Sequence, residues 1–253
     1  MKLMNIQLAA VGLILALLLA AGPFVSDARA QTTAIDPTAV QLLQRMTDYL
    51  GSLKQFSAHT HNNIEDILDS GHRIDFDVSA EVTVSRPNKI RAQRKGELID
   101  QIFYYDGQSL TLFNPLDNVY ATLAAPGTFE GLFKFMSTSL GFLLPVSDLV
   151  YADAFPLLMQ DVTFAATLEK TFINGVQCDH LLFSRPGVDF QVWIADSDKP
   201  LPYKYVVTDT ASHGHLSIIT FMTDWNSAPA AAADSLFIFV PPKDAGQIRF
   251  LQF

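Results

Sequence analysis

The stretch Ile99–Leu123 reads IDQIFYYDGQSLTLFNPLDNVYATL and predicts three short strands joined by two tight turns. Asp106 and Gly107 separate the first two strands, because glycine supplies the positive φ that a two-residue hairpin turn requires. The turn-forming residues 114–118 separate the second pair. The stretch therefore predicts a small antiparallel meander at the centre of the chain.

Both faces of this meander are apolar. Alternation along a strand places Phe103 and Tyr105 on one face and Ile102 and Tyr104 on the other. A sheet with two apolar faces must be covered on both sides. Protein is expected to cover one face, and either protein or a bound ligand the other. The functional hypothesis starts from that second face.

The segments before the meander predict one helix followed by long strands. Asp36 and Pro37 are typical of a helix start, and apolar residues then recur at spacings of three and four as far as Leu53. Beyond Phe56 the period becomes two, and apolar and polar residues alternate six times between Ile74 and Ser85. This pattern predicts a strand with one buried face and one wet face.

After the meander, a helical insert is expected at about residues 126–160, followed by further strands up to residue 240. The fold predicted from these patterns is α+β, with a single strongly curved antiparallel sheet that forms a half-open β-barrel. We expect about eleven or twelve strands in sequence order. The helix Pro37–Leu53 and the insert should cover the concave face.

The first thirty residues have the features of a secretory signal peptide. Lys2 precedes an apolar run from Leu8 to Ala21, and residues 28–30 read Ala-Arg-Ala, a small-residue cleavage site. The run is shorter than the ~20 residues that span a bilayer. We therefore expect cleavage after Ala30, a periplasmic location, no membrane span in the mature chain, and a single domain over residues 31–253.

Charge and cysteine content exclude several classes. The formal net charge of the chain is −9, and removing the leader makes it slightly more negative, which argues against nucleic-acid binding. Cys178 is the single cysteine, so no internal disulfide can form and the fold needs a hydrophobic core.

Several short segments resemble an uncharacterised family of exported bacterial proteins, the domain of unknown function family 2092. They are RMTDYL (45–50), SRPNKIRA (85–92), FYYDG (103–107), PLDNVYAT (115–122), GVQCDHL (175–181), PGVDFQVWI (186–194) and PLP (200–202). The arrangement of one helix, a long antiparallel sheet and a helical insert also resembles the lipoprotein-carrier fold, whose concave face takes up lipid-like ligands. The resemblance implies an exported binding protein for a hydrophobic or lipid-like ligand, such as an acyl chain.

Two groups of residues are candidates for such binding. The first is an aromatic-rich set shared by the meander and the insert, for which ordinary core packing is the alternative: Phe103, Tyr105, Phe129, Phe133, Met136 and Phe142. The second is a basic group that is interpreted as a site for an anionic headgroup or a membrane surface, or else as a solvated strand edge: Arg86, Lys89, Arg91, Arg94 and Lys95.

Catalytic and metal sites receive less support. Cys178 and His180 share a strand face and invite a nucleophile interpretation, but two core residues are the simpler one. His59 and His61, near Glu65, could together ligate a metal, although solvated histidines are more common. We expect no catalytic residues, no metal site and no cofactor.

Three functions thus compete: a carrier or binder of an apolar ligand, an interaction module that senses envelope stress through an envelope protein partner, and a hydrolase. The carrier predicts an elongated apolar cavity under the insert, and the interaction module predicts a filled interior with an exposed apolar patch. A hydrolase requires a polar cleft with a nucleophile and a base in contact. The sequence favours the carrier.

Overall fold

The computed structural model describes residues 34–97, 99–142, 144–227 and 233–250. The expected signal peptide lies outside this part of the chain. The helices are α1 (Pro37–Ser52), α2 (Phe129–Ser139) and α3 (Phe155–Met159), with short 3-10 turns at Ser147–Val150 and Asp234–Phe237. The strands are β1 (Gln55–Ile67), β2 (Arg73–Ser85), β3 (Lys89–Gly96), β4 (Asp100–Tyr105), β5 (Ser109–Asn114), β6 (Val119–Ala124), β7 (Phe164–Thr167), β8 (Thr171–Ile173), β9 (Val176–Arg185), β10 (Val188–Ala195), β11 (Pro202–Asp209), β12 (Ser217–Asn226) and β13 (Gly246–Gln247).

The described strands form one open sheet of 13 strands, which confirms the α+β class and the curved half-barrel. Their order is β13-β6-β5-β4-β3-β2-β1-β12-β11-β10-β9-β7, with β8 also paired to β9. The expectation of strands in sequence order is wrong at three places, because β1 pairs with β12, β6 with β13, and β7 with β9. The insert carries the chain from one edge of the sheet to the other, and the second half then returns towards β1.

Some strand boundaries also differ from expectation. The predicted strand Val162–Phe172 is divided into β7 and β8, and the predicted strand Leu236–Val240 is a 3-10 turn followed by irregular backbone. The short strand β13 has no alternating pattern in the sequence and pairs with β6 in parallel, whereas the other strand pairings are antiparallel. These differences account for 13 strands where about eleven or twelve are predicted.

The helix α1 begins and packs as its sequence indicates. The Asp36 carboxylate accepts the backbone N–H of Thr38 at 2.9 Å and that of Thr167 at 3.0 Å, so it caps the helix and fixes it to β7. The apolar stripe of α1 is fully buried at Leu43 and Met46 and packs on β7, β9 and β10. Helix α1 therefore covers the concave face of the C-terminal half of the sheet.

The central meander is covered on both faces, as its composition requires. The turn at Gly107 has φ +96°, which favours glycine. On the concave side, Tyr105 lies 6.5 Å from the Phe129 ring of α2. On the convex side, the ring of Phe239 lies 5.0–5.4 Å from three rings of the meander, those of Tyr104, Phe113 and Tyr120. The insert covers one face and the C-terminal segment covers the other.

One charged side chain joins the helix, the sheet and the insert. The Arg86 guanidinium, at the end of β2, donates hydrogen bonds to four backbone carbonyls, those of Leu50 and Leu53 at the C-terminus of α1 and those of Val150 and Tyr151 in the insert. A helix leaves its last carbonyls without partners, and a cation there also interacts favourably with the helix dipole. Arg86 thus satisfies the end of α1 from another element.

Helix α1 and the insert also approach each other closely at this place. A Cβ atom on Gly51 would lie 2.2 Å from the carbonyl oxygen of Ala152, so the helix can approach this closely only because residue 51 is glycine. Leu53, Tyr151 and Trp225 pack against both of the large buried clusters, one under α1 and one under α2. The two clusters are therefore parts of one continuous interior.

We predict that Arg86→Met destabilises the protein by about 3 kcal/mol, because four carbonyls would lose a charged donor in a partly buried place. Urea unfolding followed by circular dichroism measures the change. Arg91→Met is the matched control and should cost less than about 1 kcal/mol, since within the described chain Arg91 makes one side-chain hydrogen bond, to Gln93, and lies over the Tyr104 ring. Equal losses in the two variants would show that Arg86 does not have this role.

Candidate ligand-binding site

A cavity of about 290 Å³ lies between the insert and the concave face of the sheet. On the sheet side it is lined by Ile64, Val78, Ala80, Val82, Ile90, Ala92, Phe103 and Leu110. On the insert side it is lined by Leu132, Phe133, Met136, Phe142, Leu144 and Val150. Most of these side chains are aliphatic or aromatic. Ligand pockets are usually apolar concavities of about 300–1,000 Å³, so this cavity is at the small end of that range.

The cavity exists because two covers leave part of the concave face open. Helix α1 covers strands β7, β9 and β10, whereas α2 lies over β3 to β5. Between them, the apolar face of β2 is only partly covered. Val84 is fully buried, but Val78, Ala80 and Val82 are half-buried and face the cavity. The face that the alternation predicts to be buried is thus, in large part, a cavity wall.

Four of the six predicted ligand-binding residues line this cavity: Phe103, Phe133, Met136 and Phe142. The ring of Phe142 packs edge-on against that of Phe103 with centroids 5.2 Å apart. Tyr105 and Phe129 lie behind the wall instead. Both are buried, the Tyr105 hydroxyl donates to the carbonyl of Pro126, and Phe129 stacks on Phe133 at 5.8 Å. They support the lining residues without reaching the cavity.

One side of the cavity is polar. Thr220 donates to the Asn62 side-chain oxygen at 2.8 Å, and the Asn62 amide donates to the Thr60 hydroxyl at 3.1 Å and to the carbonyl of Val78 at 2.9 Å. All three side chains are buried, and Thr60 and Asn62 line the cavity. Sequence reasoning missed these residues. Thr60 and Asn62 share the buried face of β1 with Phe56, Ala58 and Ile64, and this period of two was the signal that could have found them.

The family comparison covers nearly the whole described chain. Residues 39–251 match the family described as "Predicted periplasmic protein (DUF2092)". The chain belongs to this family. The family description also places the protein in the periplasm, in agreement with the expected export.

Several solved structures are similar to the DUF2092 protein. They include LprF from Mycobacterium bovis, with 15% identity over 83% of this chain and 99% of that chain and a TM-score of 0.48. The lipoprotein LppX from Mycobacterium tuberculosis has 14% identity over 78% of this chain and 100% of that one, with a TM-score of 0.41. A LolA-superfamily protein from Nitrosomonas europaea has 12% identity over 79% and 97%, with a TM-score of 0.40. No curated protein matches the sequence.

The predicted basic group does not form one surface in the DUF2092 protein. The Arg86 guanidinium donates its hydrogen bonds to the four backbone carbonyls described above. Lys89, Arg91 and Lys95 point to the convex side of β3, where Lys89 pairs with Asp234 at 2.6 Å and Lys95 lies 3.8 Å from Asp100. Arg94 points the opposite way and lines the cavity. Alternation along β3 separates them, since residues 89, 91 and 95 share a face and residue 94 does not.

The Cys178 thiol is buried on the side of the sheet away from α1. Burial raises its pKa to about 11, so the thiol is protonated at neutral pH and is a poor nucleophile. The His180 ring stacks on Trp193 with centroids 3.9 Å apart and bonds to the Gln191 side-chain oxygen at 2.9 Å. Burial lowers the pKa of His180. Cys178 is thus a buried residue, as the core interpretation expects, whereas His180 is only partly buried.

His59 lies on the convex face, where three neighbouring strands meet. Its ring is 2.8 Å from the Glu81 carboxylate of β2 and 2.9 Å from the Asp224 carboxylate of β12. Hydrogen bonds to these two groups raise the pKa of His59, and the histidine lowers the pKa of Glu81 and Asp224 in return. Within the described residues, no group of three or more His, Cys, Asp or Glu has a metal-binding arrangement.

The part of the chain that the structure describes holds no helix with the length and apolar character needed to cross a membrane.

We predict that His59→Gln lowers the Tm at about pH 5.5 and leaves it nearly unchanged at about pH 9. A raised pKa in the folded state stabilises the fold below the ordinary histidine value of 6.5, and this contribution is lost as the pH rises through the raised value. The effect should be small, because the side chains are about half exposed. Thermal unfolding at both pH values measures it. His72→Gln is the control, since its ring bonds only to the Ser70 hydroxyl, and an equal pH dependence there would contradict the assignment.

Proposed function

We propose that this DUF2092 protein is a periplasmic binding protein for a hydrophobic or lipid-like ligand. The observation that carries the proposal is the apolar cavity of about 290 Å³ between the insert and the concave face of the sheet. An interaction module on the same scaffold is expected to have a filled interior, so the cavity supports binding over that alternative. The protonated Cys178 thiol gives a hydrolase no support, and we propose a role without catalysis.

Burial alone supplies useful affinity in such a site. Each methylene removed from water contributes about 0.8 kcal/mol, so about ten methylenes contribute roughly 8 kcal/mol before the cost of immobilising the ligand. A net value of that size would correspond to a Kd of about 1 μM, so after the cost of immobilisation a chain of about ten methylenes binds more weakly than this. Burial of an acyl chain thus supplies affinity without polar contacts, and the polar groups of the site are free to set specificity.

Release of the ligand requires a part that moves, and the insert is the better candidate. Gly127, Gly131 and Gly141 interrupt it, and Pro126 and Pro145 bracket it. Helix α1, in contrast, is fixed at both ends, by Asp36 to β7 and by Arg86 at its C-terminus. We propose that the insert opens while α1 and the sheet stay in place.

We predict that Ala92→Phe weakens binding of the neutral fluorescent probe N-phenyl-1-naphthylamine about tenfold or more, because the new ring would occupy the cavity. Ala92 lines the cavity from β3, and Gln93 points to the opposite face of the same strand. Gln93→Phe is therefore the matched control and should leave the probe Kd unchanged. Equal probe binding by the Ala92→Phe variant and the original protein would show that the probe binds elsewhere.

We also predict that Phe133→Asp abolishes probe binding while the sheet stays folded. Phe133 lies in α2 with its ring against Tyr151 at 5.8 Å, so a carboxylate there would place a charge in the apolar cavity. Probe fluorescence measures binding, and far-UV circular dichroism measures retention of the sheet. Glu130→Gln, on the exposed side of the same helix, is the control. If polar replacement of both Phe133 and Met136 leaves the probe affinity unchanged, the insert contributes to core packing and does not bind the ligand.

A further inference from the structure

One cation points into the apolar cavity. Arg94 lies on β3, two residues after Ala92 and four after Ile90, so it shares the face of these two cavity-lining residues. In the register of the sheet it lies between Ala80 of β2 and Gln101 of β4. No Asp or Glu side chain is among the described residues that line the cavity. The charge of Arg94 is therefore not balanced within the site.

Arg94 also lacks polar partners. Its Nε atom is buried and has no hydrogen-bond partner among the described residues, and the side chain takes part in none of their ion pairs. The Arg94 guanidinium makes a cation–π contact with the ring of Phe103, whose centroid lies 5.4 Å from the guanidinium carbon. The side-chain oxygen of the neighbouring Gln101 is likewise buried without a partner. Arg94, which lines the cavity, and Gln101, which pairs with it in the sheet register, thus both have unused hydrogen-bonding capacity.

Arg94 differs from Arg86 in its hydrogen-bond partners. Both guanidinium groups are partly buried, and burial lowers the pKa of each, although arginine keeps its charge. Arg86 makes four hydrogen bonds to carbonyls, whereas Arg94 makes none within the described chain. A partly buried cation whose buried Nε atom has no hydrogen-bond partner carries an unfavourable cost, and a bound anion would remove that cost. This differential favours an anionic ligand over a neutral one.

We propose that the ligand is a single-chain amphiphile with a carboxylate head, whose chain lies in the cavity and whose carboxylate pairs with Arg94. The inference rests on the proposed function and adds the class of ligand. The small volume fits one acyl chain better than two. A guanidinium matches a carboxylate bidentately and neutralises it, whereas a phosphate monoester carries about −1.5 to −2 charges and would stay partly uncompensated among apolar side chains. With its nitrogen turned towards the head, the Gln101 amide donates a second hydrogen bond to the carboxylate.

Displacement of N-phenyl-1-naphthylamine from the full-length protein tests the proposal, with dodecanoate, dodecanol and dodecyl phosphate as competitors at about pH 8, where a carboxylic acid is ionised. We expect dodecanoate to bind about tenfold or more tightly than dodecanol, the gain of one charge-assisted pair. In Arg94→Met this preference should disappear while the affinities for dodecanol and the probe persist, which also shows that the variant is folded. Arg94→Lys should keep part of the preference. Arg91→Met, on the opposite face of β3, should keep all of it.

The alternative outcomes separate the two proposals. Tight probe and dodecanol binding without a preference for dodecanoate, or a preference that survives Arg94→Met, overturns the carboxylate site and leaves the binding function standing. A lower Kd for dodecyl phosphate than for dodecanoate overturns the choice of a carboxylate head in favour of a phosphate. No binding of the probe and no competition by any of the three overturns the proposed function and this inference together.

Discussion

The contact of the Arg86 guanidinium with four backbone carbonyls is the interaction on which the other parts depend. The end of α1 and the loop of the insert each bring two backbone carbonyls to one place, and a single side chain that follows β2 donates to all four. Fixing α1 and the base of the insert to the end of β2 determines where the two covers of the concave face lie. It thereby also determines the gap between them, which is the cavity.

The polar side chains around the cavity differ in how their hydrogen-bonding groups are satisfied. Thr60, Asn62 and Thr220 are buried, and their side chains satisfy one another, so they form a closed wall. On the same apolar surface, the Nε atom of Arg94 has no hydrogen-bond partner among the described residues. Satisfied polar groups shape a site, whereas an unsatisfied one selects what enters it. The binding of a chain and the choice of its head group are therefore separate properties of different residues.

The sequence predicts the local structure well because each segment satisfies its own period. The aromatic meander, the alternation in β2 and the helical spacing in α1 and α2 all appear where expected. The pairing of β1 with β12 could not be predicted, since it joins segments that no local pattern relates. The role of Arg86 could not be predicted either, because it lies in a turn and its partners come from elements distant in sequence. The face of Arg94 could be predicted, because a period of two along β3 puts it on the same face as Ile90 and Ala92.

The β1–β12 seam has a consequence for how the protein matures. Strand β1 is made early and its register partner near the end, so the hydrogen-bonding edge of β1 stays open until almost the whole chain is available. Contacts so distant in sequence form slowly, and an open strand edge invites pairing with other chains. The polar surface of that edge, with His59, His61 and Asn63 on its outer face, keeps it hydrated in the meantime. Until its last long strand is available, the folding chain therefore exposes a strand edge whose outward side chains are already suited to water.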